Sequence, residues 1–387
     1  MIIMLENNVF SLRAELSGKV VEIPEPEEVS LFVCGYDIRA ERGKAVKRGE
    51  ALAAHPRTAG GAANAPIAGK VSKIDFAYLS IKKDKKDEAA DPVDVRSLSP
   101  GEELNQAMRD LGISVERFRE AELLIVNGLN PQPGVNVAEQ LLRDENETVR
   151  RGLSLVRKAV NPRRCVLVTG DGGYSLEGCS DVRMRPEYPN SLAPLVIKAV
   201  TGREQSDGVA VFSVHKLWQI GRVVETGRAI DETVFTLAGT AYCARIGTPI
   251  VDILDFAGVE IHPGDRLVLS GPLTGYTVFN VEHGLEKGVY ALNVIPKDAF
   301  PAMEDRPCIN CGECVLHCPA RLQPNIIARF AEYGMFQQAR EQGLDACMEC
   351  GLCSYWCPAL RPMQHYLRFA RQQLRTETDR LTAGWTR

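Results

Sequence analysis

The 387-residue chain has no surplus of basic residues. Its 46 Lys and Arg stand against 50 Asp and Glu, a formal net charge of -4. A nucleic-acid binder needs a basic face to neutralise phosphates, so this balance argues against one. Long uncharged runs are lacking too. The longest, residues 123–138, holds three Asn and two Pro and does not read as a membrane-crossing helix. The opening "MIIMLENNVF" meets Glu6 before an apolar stretch builds up, so no secretory signal is read there. These absences point to a cytosolic protein whose membrane attachment, if any, comes through a partner.

Cysteine is scarce outside one region. Eight of the 12 fall within residues 308–357. A secreted disulfide scaffold would spread them through a short chain, and this chain is long. Cys34, Cys165, Cys179 and Cys243 are isolated from one another and read as ordinary buried or surface thiols.

The clustered cysteines form two copies of C-x2-C-x2-C-x3-C-P, "CINCGECVLHCP" from Cys308 and "CMECGLCSYWCP" from Cys347. A cubane iron–sulfur cluster needs four thiolates converging on a small core. Two-residue spacers let three of them wrap it within one loop. The fourth, leaving on a short helix before proline, points away and in two-cluster ferredoxins ligates the other cluster. On that logic Cys308, Cys311, Cys314 and Cys357 hold one [4Fe–4S] cluster. Cys347, Cys350, Cys353 and Cys318 hold the second. Gly312 and Gly351 follow each second cysteine, where the backbone approaches the cluster or takes positive φ. Zinc fits less well, because its structural sites pair C-x2-C units across longer loops.

Between the motifs, Ile326, Phe330 and Tyr333 fall at helical spacing and Pro324 suits a first turn. A second short helix follows. The result is an all-helical two-cluster module whose clusters lie close enough for electron hopping.

The rest of the chain reads as multidomain α+β, with four domains over 1–95, 96–206, 207–296 and 297–387. The first has short alternations and glycine turns. Residues 46–52 and 65–75 read as two strands of a small β barrel-sandwich of the kind that also carries lipoyl groups. Its tip "PRTAGGAANAP" has no lysine to modify, so it reads as scaffold. The lysine-rich "IKKDKKDE" after it reads as a solvated linker or edge. The second domain has buried strands at "AELLIVNG" and "RRCVLVTGDGG", with an amphipathic run at 135–160 between them, a β–helix–β unit of a parallel sheet. "TGDGG" matches neither G-x-G-x-x-G nor a P-loop and reads as a turn, with phosphate cradling as the alternative. The third has a helix at "PIVDILDFAG", opened by proline and closed by glycine, within a β-grasp pattern. His215 and His262 are isolated there and read as solvated or core-capping.

With these residues laid out, the chain resembles the RnfC family, the cluster-bearing peripheral subunit of the Rnf ion-translocating electron transport complex. The resemblance is carried by "APIAGKV", "LLIVNG", "YPNSLAPLVIKAVTGRE" before a G-x-x-V-F strand, "IGTPIVDIL", "LSGPLTG" and the two cysteine motifs. It implies an N-terminal barrel-sandwich, an α/β flavin-type domain, a soluble-ligand-binding β-grasp domain and a C-terminal ferredoxin module. In that family the α/β domain binds FMN and NADH through a glycine-rich loop before the "NG" strand and an acidic stretch after it. Here "LGISVERFREAE" precedes the strand and "NGLNPQPG" follows it. The resemblance thus implies a degenerate version with two [4Fe–4S] clusters and without FMN or NADH.

It also implies membrane-embedded and cluster-bearing Rnf-type partners, ferredoxin or a cytochrome as soluble partner, and a peripheral place on the cytoplasmic side of the inner membrane. The alternatives are a subunit that still binds FMN and NADH, and a soluble subunit of a heterodisulfide-reductase-like or cobalamin-reductase-like assembly. From Arg361 to Arg387 six Arg face Glu377 and Asp379, which reads as a solvated helix face or, through Arg368, Arg371 and Arg375, a docking surface.

Overall fold

A computed structural model of the protein describes residues 10–16, 18–56, 59–170, 173–204, 207–301, 303 and 306–384; side chains from 377 onward lie outside it. The fold is mixed α/β with several sheets and a helical C-terminal region. The chain divides into two compact units, Met1–Pro272 with Tyr276–Pro296, and Leu273–Gly275 with Lys297–Arg387.

In the first unit, the N-terminal strands make two small antiparallel sheets. One runs Glu28–Phe32, Tyr78–Lys83, Gly69–Ile74, Ala45–Val46; the other Asp37–Ile38, Ala51–Ala54, Ala63–Asn64. Residues 46–52 are therefore not one strand. The chain turns at Lys47–Glu50, where the Lys47 N–H donates to the Glu50 carboxylate at 2.9 Å and Gly49 takes φ 90°, so its two ends enter different sheets. Two residues of the lysine-free tip, Arg57 and Thr58, lie outside the described residues.

A four-stranded parallel sheet follows, ordered Ser180–Arg183, Arg164–Thr169, Leu123–Asn127, Val209–Ser213. Its last strand lies beyond the boundary expected at 206, because the apolar "VAVF" buries three residues as the sheet's edge. The amphipathic run forms two helices, Val137–Asp144 and Asn146–Val160, broken at Glu145. The second packs on Val214–Thr226. Reciprocal glycines allow backbone contact there: a Cβ on Gly152 would sit 1.9 Å from the Leu217 carbonyl, and one on Gly221 1.9 Å from that of Thr148. The N-terminal sheets and this layer share one hydrophobic core.

A six-stranded sheet has its own core. Its order is Val21–Glu22, Thr240–Arg245, Glu232–Leu237, Ala291–Ile295, Arg266–Leu269, Tyr276–Val278. Glu232–Leu237 runs parallel to Ala291–Ile295 and antiparallel to Thr240–Arg245. The edge strand Val21–Glu22 comes from residues expected in the first domain. Helix Ile250–Ala257, bounded by Pro249 and Gly258 at φ 66°, buries Ile250, Ile253 and Leu254 against it. His215 is buried against Thr233 at 3.1 Å, whereas His262 is solvated.

Two of the thiols expected to be solitary are brought together. Cys165 and Cys179 form a disulfide with Cα atoms 4.6 Å apart, because the parallel pairing of Val166 with Ser180 sets their strands side by side.

The second unit is helical: Glu313–Leu316, Pro324–Glu332, Phe336–Glu341, a 3-10 turn at Leu344–Ala346, Leu352–Tyr355 and Met363–Gly384. Pro324 opens its helix in the first turn, but the buried face is Ile327, Ala328 and Ala331. Tyr333, expected on that face, is 70% exposed. Small alanines let Pro324–Glu332 pack closely on the last helix, which explains the shift of one residue in the face. Among the described residues no helix is long and apolar enough to cross a membrane.

Candidate metal-cluster site

The two cysteine motifs fold alike. The second residue after each first cysteine takes the left-handed conformation, Asn310 at φ 53° and Glu349 at φ 52°. So do Gly312 (83°) and Gly351 (80°), each capping a short helix that carries the third cysteine. Arg321 (56°) and Leu360 (54°) repeat it three residues after each fourth cysteine. Only the glycines were legible in advance; the residues at the other four positions run against the usual preference for right-handed backbone.

The fourth cysteines cross over. One cavity is lined by Cys308, Cys311, Cys314 and Cys357, the other by Cys318, Cys347, Cys350 and Cys353. Their open volumes, about 330 and 380 Å³, are similar. Among the described residues no group of three or more His, Cys, Asp or Glu is arranged to hold a single metal ion. The thiols stand around a space instead, the arrangement a multi-atom core requires.

Electrostatics suit such a core. Burial pushes the Cys350 thiol up to about 11 and raises Cys314, Cys347 and Cys353 as well. A thiolate there lacks a counter-charge, which bound iron supplies as it displaces the proton. Backbone N–H groups already face the sulfurs, Leu322 to Cys318 and Glu349 to Cys347, each at 3.4 Å.

The arginines of the last helix do not form an open basic face. Arg371 donates to the carbonyls of Leu344 at 2.8 Å and Cys347 at 2.9 Å and pairs with Glu349. Arg368 pairs with the same carboxylate at 3.2 Å and donates to the Thr274 carbonyl at 2.8 Å. Arg361 pairs with Glu332 at 2.6 Å and bonds the Arg306 carbonyl. Arg375 alone of the three proposed docking residues is exposed. These internal bonds pin the loops that carry the cysteines.

At the carboxyl end of strand Leu123–Asn127 the polar side chains are committed internally. Asn127 donates to the Ser191 carbonyl at 2.8 Å, Asn130 to Leu12 at 3.0 Å, and Gln132 to Ser270 at 2.7 Å. Asn130 and Gln132 are each 1% exposed. Of "TGDGG", Asp171 and Gly172 lie outside the described residues.

The site therefore has the make-up of an iron–sulfur protein, and residues 301–358 match a family model described as a 4Fe-4S dicluster domain. The chain's curated relatives are RnfC subunits of ion-translocating oxidoreductase complexes. The one from Pasteurella multocida (strain Pm70) is 27% identical over 59% of this chain and 30% of its own length. The one from Haemophilus influenzae (strain ATCC 51907 / DSM 11121 / KW20 / Rd) is 26% identical over 78% of this chain and 42% of its own. The chain thus matches well under half the length of either relative. A solved NAD+-reducing [NiFe]-hydrogenase in the H2-reduced state is 13% identical, with a TM-score of 0.42 over 67% of this chain and 56% of that one.

Proposed function

We propose that the protein is an electron-transfer subunit of a membrane-bound, Rnf-like complex that couples electron transfer to ion translocation. The observation that carries this is the crossing of the fourth cysteines, which gives each of two cavities four thiols. The residues fit two [4Fe–4S] clusters, which when bound supply one-electron storage at potentials the protein sets. Cys308, Cys311, Cys314 and Cys357 would hold one; Cys347, Cys350, Cys353 and Cys318 the other. Gly312 and Gly351 let the loops close, and Arg361, Arg368 and Arg371 hold them in place.

The finer architecture follows the same reading: a barrel-sandwich to about residue 95, a degenerate α/β flavin-type domain extended to include Val209–Thr226, a β-grasp domain to 296 and the ferredoxin module beyond. The strand order around the parallel pair Glu232–Leu237 and Ala291–Ile295 supports the β-grasp assignment. The internal bonds of Asn127, Asn130 and Gln132 support a strand end that no longer takes FMN or NADH. Ferredoxin or a cytochrome would be the soluble partner, and membrane subunits would hold the protein at the cytoplasmic face of the inner membrane.

The test is anaerobic purification with iron, sulfide and flavin analysis and EPR, one portion receiving NADH. About eight irons, no flavin and clusters unreduced by NADH are expected. Bound FMN and reduction by NADH would reverse the nicotinamide part. Cys318→Ser should perturb the same EPR signal as Cys347→Ser; if it perturbs that of Cys311→Ser instead, the crossed ligand assignment fails.

A further inference from the structure

The two cysteine cavities share a backbone but not their surroundings. Cys308 and Cys311 of the first are exposed, whereas Cys350 and Cys353 of the second are buried and Cys318 and Cys347 half-buried. The first cavity is also lined by Asn325, whose backbone N–H bonds the Cys314 sulfur and whose side-chain Oδ1 is buried without a hydrogen-bond partner. An acceptor oxygen left alone among thiolates is a carboxamide facing the wrong way. Rotation about its last torsion presents Nδ2–H to the sulfurs and moves no other group. At the second cavity the lining carboxamide is Gln364, whose Nε2 already donates to the Glu349 carbonyl at 2.7 Å.

Charge distinguishes the sites less. Arg361 lines the first cavity and pairs with Glu332; Glu349 lines the second and pairs with Arg368 and Arg371. Each set largely neutralises itself. What remains is the exposed edge and the Asn325 amide, and both act in one direction. Reduction adds negative charge, which water and N–H donors stabilise, so both raise the reduction potential.

We infer that the site built on Cys308, Cys311, Cys314 and Cys357 has the higher reduction potential of the two, with the Asn325 side chain contributing to the difference. This rests on the two-cluster reading above. One electron given to the module then resides at the exposed site while the other stays oxidised, so the Cys308–Cys311 edge is where the electron waits for its exit.

The experiment is an EPR-monitored redox titration of the full chain, purified anaerobically, with iron and sulfide measured on the same sample. The expected result is two one-electron steps of unequal potential. Asn325→Leu should lower the upper step by roughly 59 mV, a tenfold change in a one-electron equilibrium, and leave the lower step in place. Gln364→Leu should leave the upper step in place. Asn325→Asp is the second variant, needed if the leucine variant loses iron; its added negative charge should lower the same step further. Coincident steps in the loaded wild-type protein, or a lower step that moves with Asn325, would overturn the inference and leave the cluster reading standing. A chain that takes up no iron would overturn the cluster reading itself.

Discussion

His317 and Trp356 stack face to face, ring centroids 4.2 Å apart and planes 9° from parallel. Each is the residue before its motif's fourth cysteine, so the stack joins equivalent positions of the two motifs at the place where the chains cross. The exposed edge of Trp356 does not remove the contact's value. An aromatic pair contributes roughly 0.5–1.5 kcal/mol beyond its buried area. A double-mutant cycle with His317→Ala and Trp356→Ala should return a coupling of that size in thermal melts of the iron-loaded protein, with iron content unchanged. Additive losses would mean the stack does not couple the motifs.

Arg371 holds the second cysteine loop by two backbone carbonyls and the Glu349 carboxylate. Both partners are partly solvated, so Arg371→Ala should cost about 2–3 kcal/mol, below the range for a fully buried pair. Iron loss should begin with the cluster whose signal Cys347→Ser perturbs. Arg375→Ala, on an exposed side chain, should change neither stability nor iron content.

Gly351 and Gly312 occupy equivalent places but tolerate alanine differently. Both need positive φ, which costs an alanine roughly 1–2 kcal/mol. At Gly351 the added Cβ would also lie 2.3 Å from the Leu273 carbonyl, whereas at Gly312 nothing lies within 4 Å. Gly312→Ala should therefore keep its clusters with a modest fall in melting temperature. Gly351→Ala should lose iron or melt markedly lower; equal behaviour would contradict the close approach.

Acid should weaken the fold through His215. Burial, then the neighbouring Lys216, pushes its imidazolium down to about 4. The unfolded chain, with an ordinary value near 6.5, binds the proton first as pH falls. Stability is then fully present above about pH 6.5 and declines toward pH 4, by roughly 3 kcal/mol in all. Urea unfolding across this window should show that slope, and His215→Gln should flatten it. An unchanged slope in the variant would assign the acid sensitivity elsewhere.

Much of this was legible because local chemistry dictates it. The spacing of Cys308 to Cys318 and Cys347 to Cys357, the buried runs at 123–127 and 164–169, and the helix between Pro249 and Gly258 each follow from a few adjacent residues. Their physical cause is near at hand in the chain: ligand reach, alternation of burial, and backbone freedom at proline and glycine. The amphipathic run broken at Glu145 and the strand divided at Gly49 were harder to read, since each break depends on what packs beside it.

By itself the sequence determined that eight thiols would be presented in two equivalent loops, because the spacer lengths admit little else. Tertiary structure alone decided what surrounds them. Arg361, Arg368 and Arg371 looked like a solvated basic face, yet carbonyls and carboxylates from distant segments accept their hydrogen bonds. Cys165 and Cys179 looked solitary until a parallel register placed them side by side. Asn325 gave no signal at all, since a carboxamide matters only once the fold has buried it among sulfurs. Partners far apart in the chain meet only when the core closes, and the desolvation that gives their bonds strength begins at that moment.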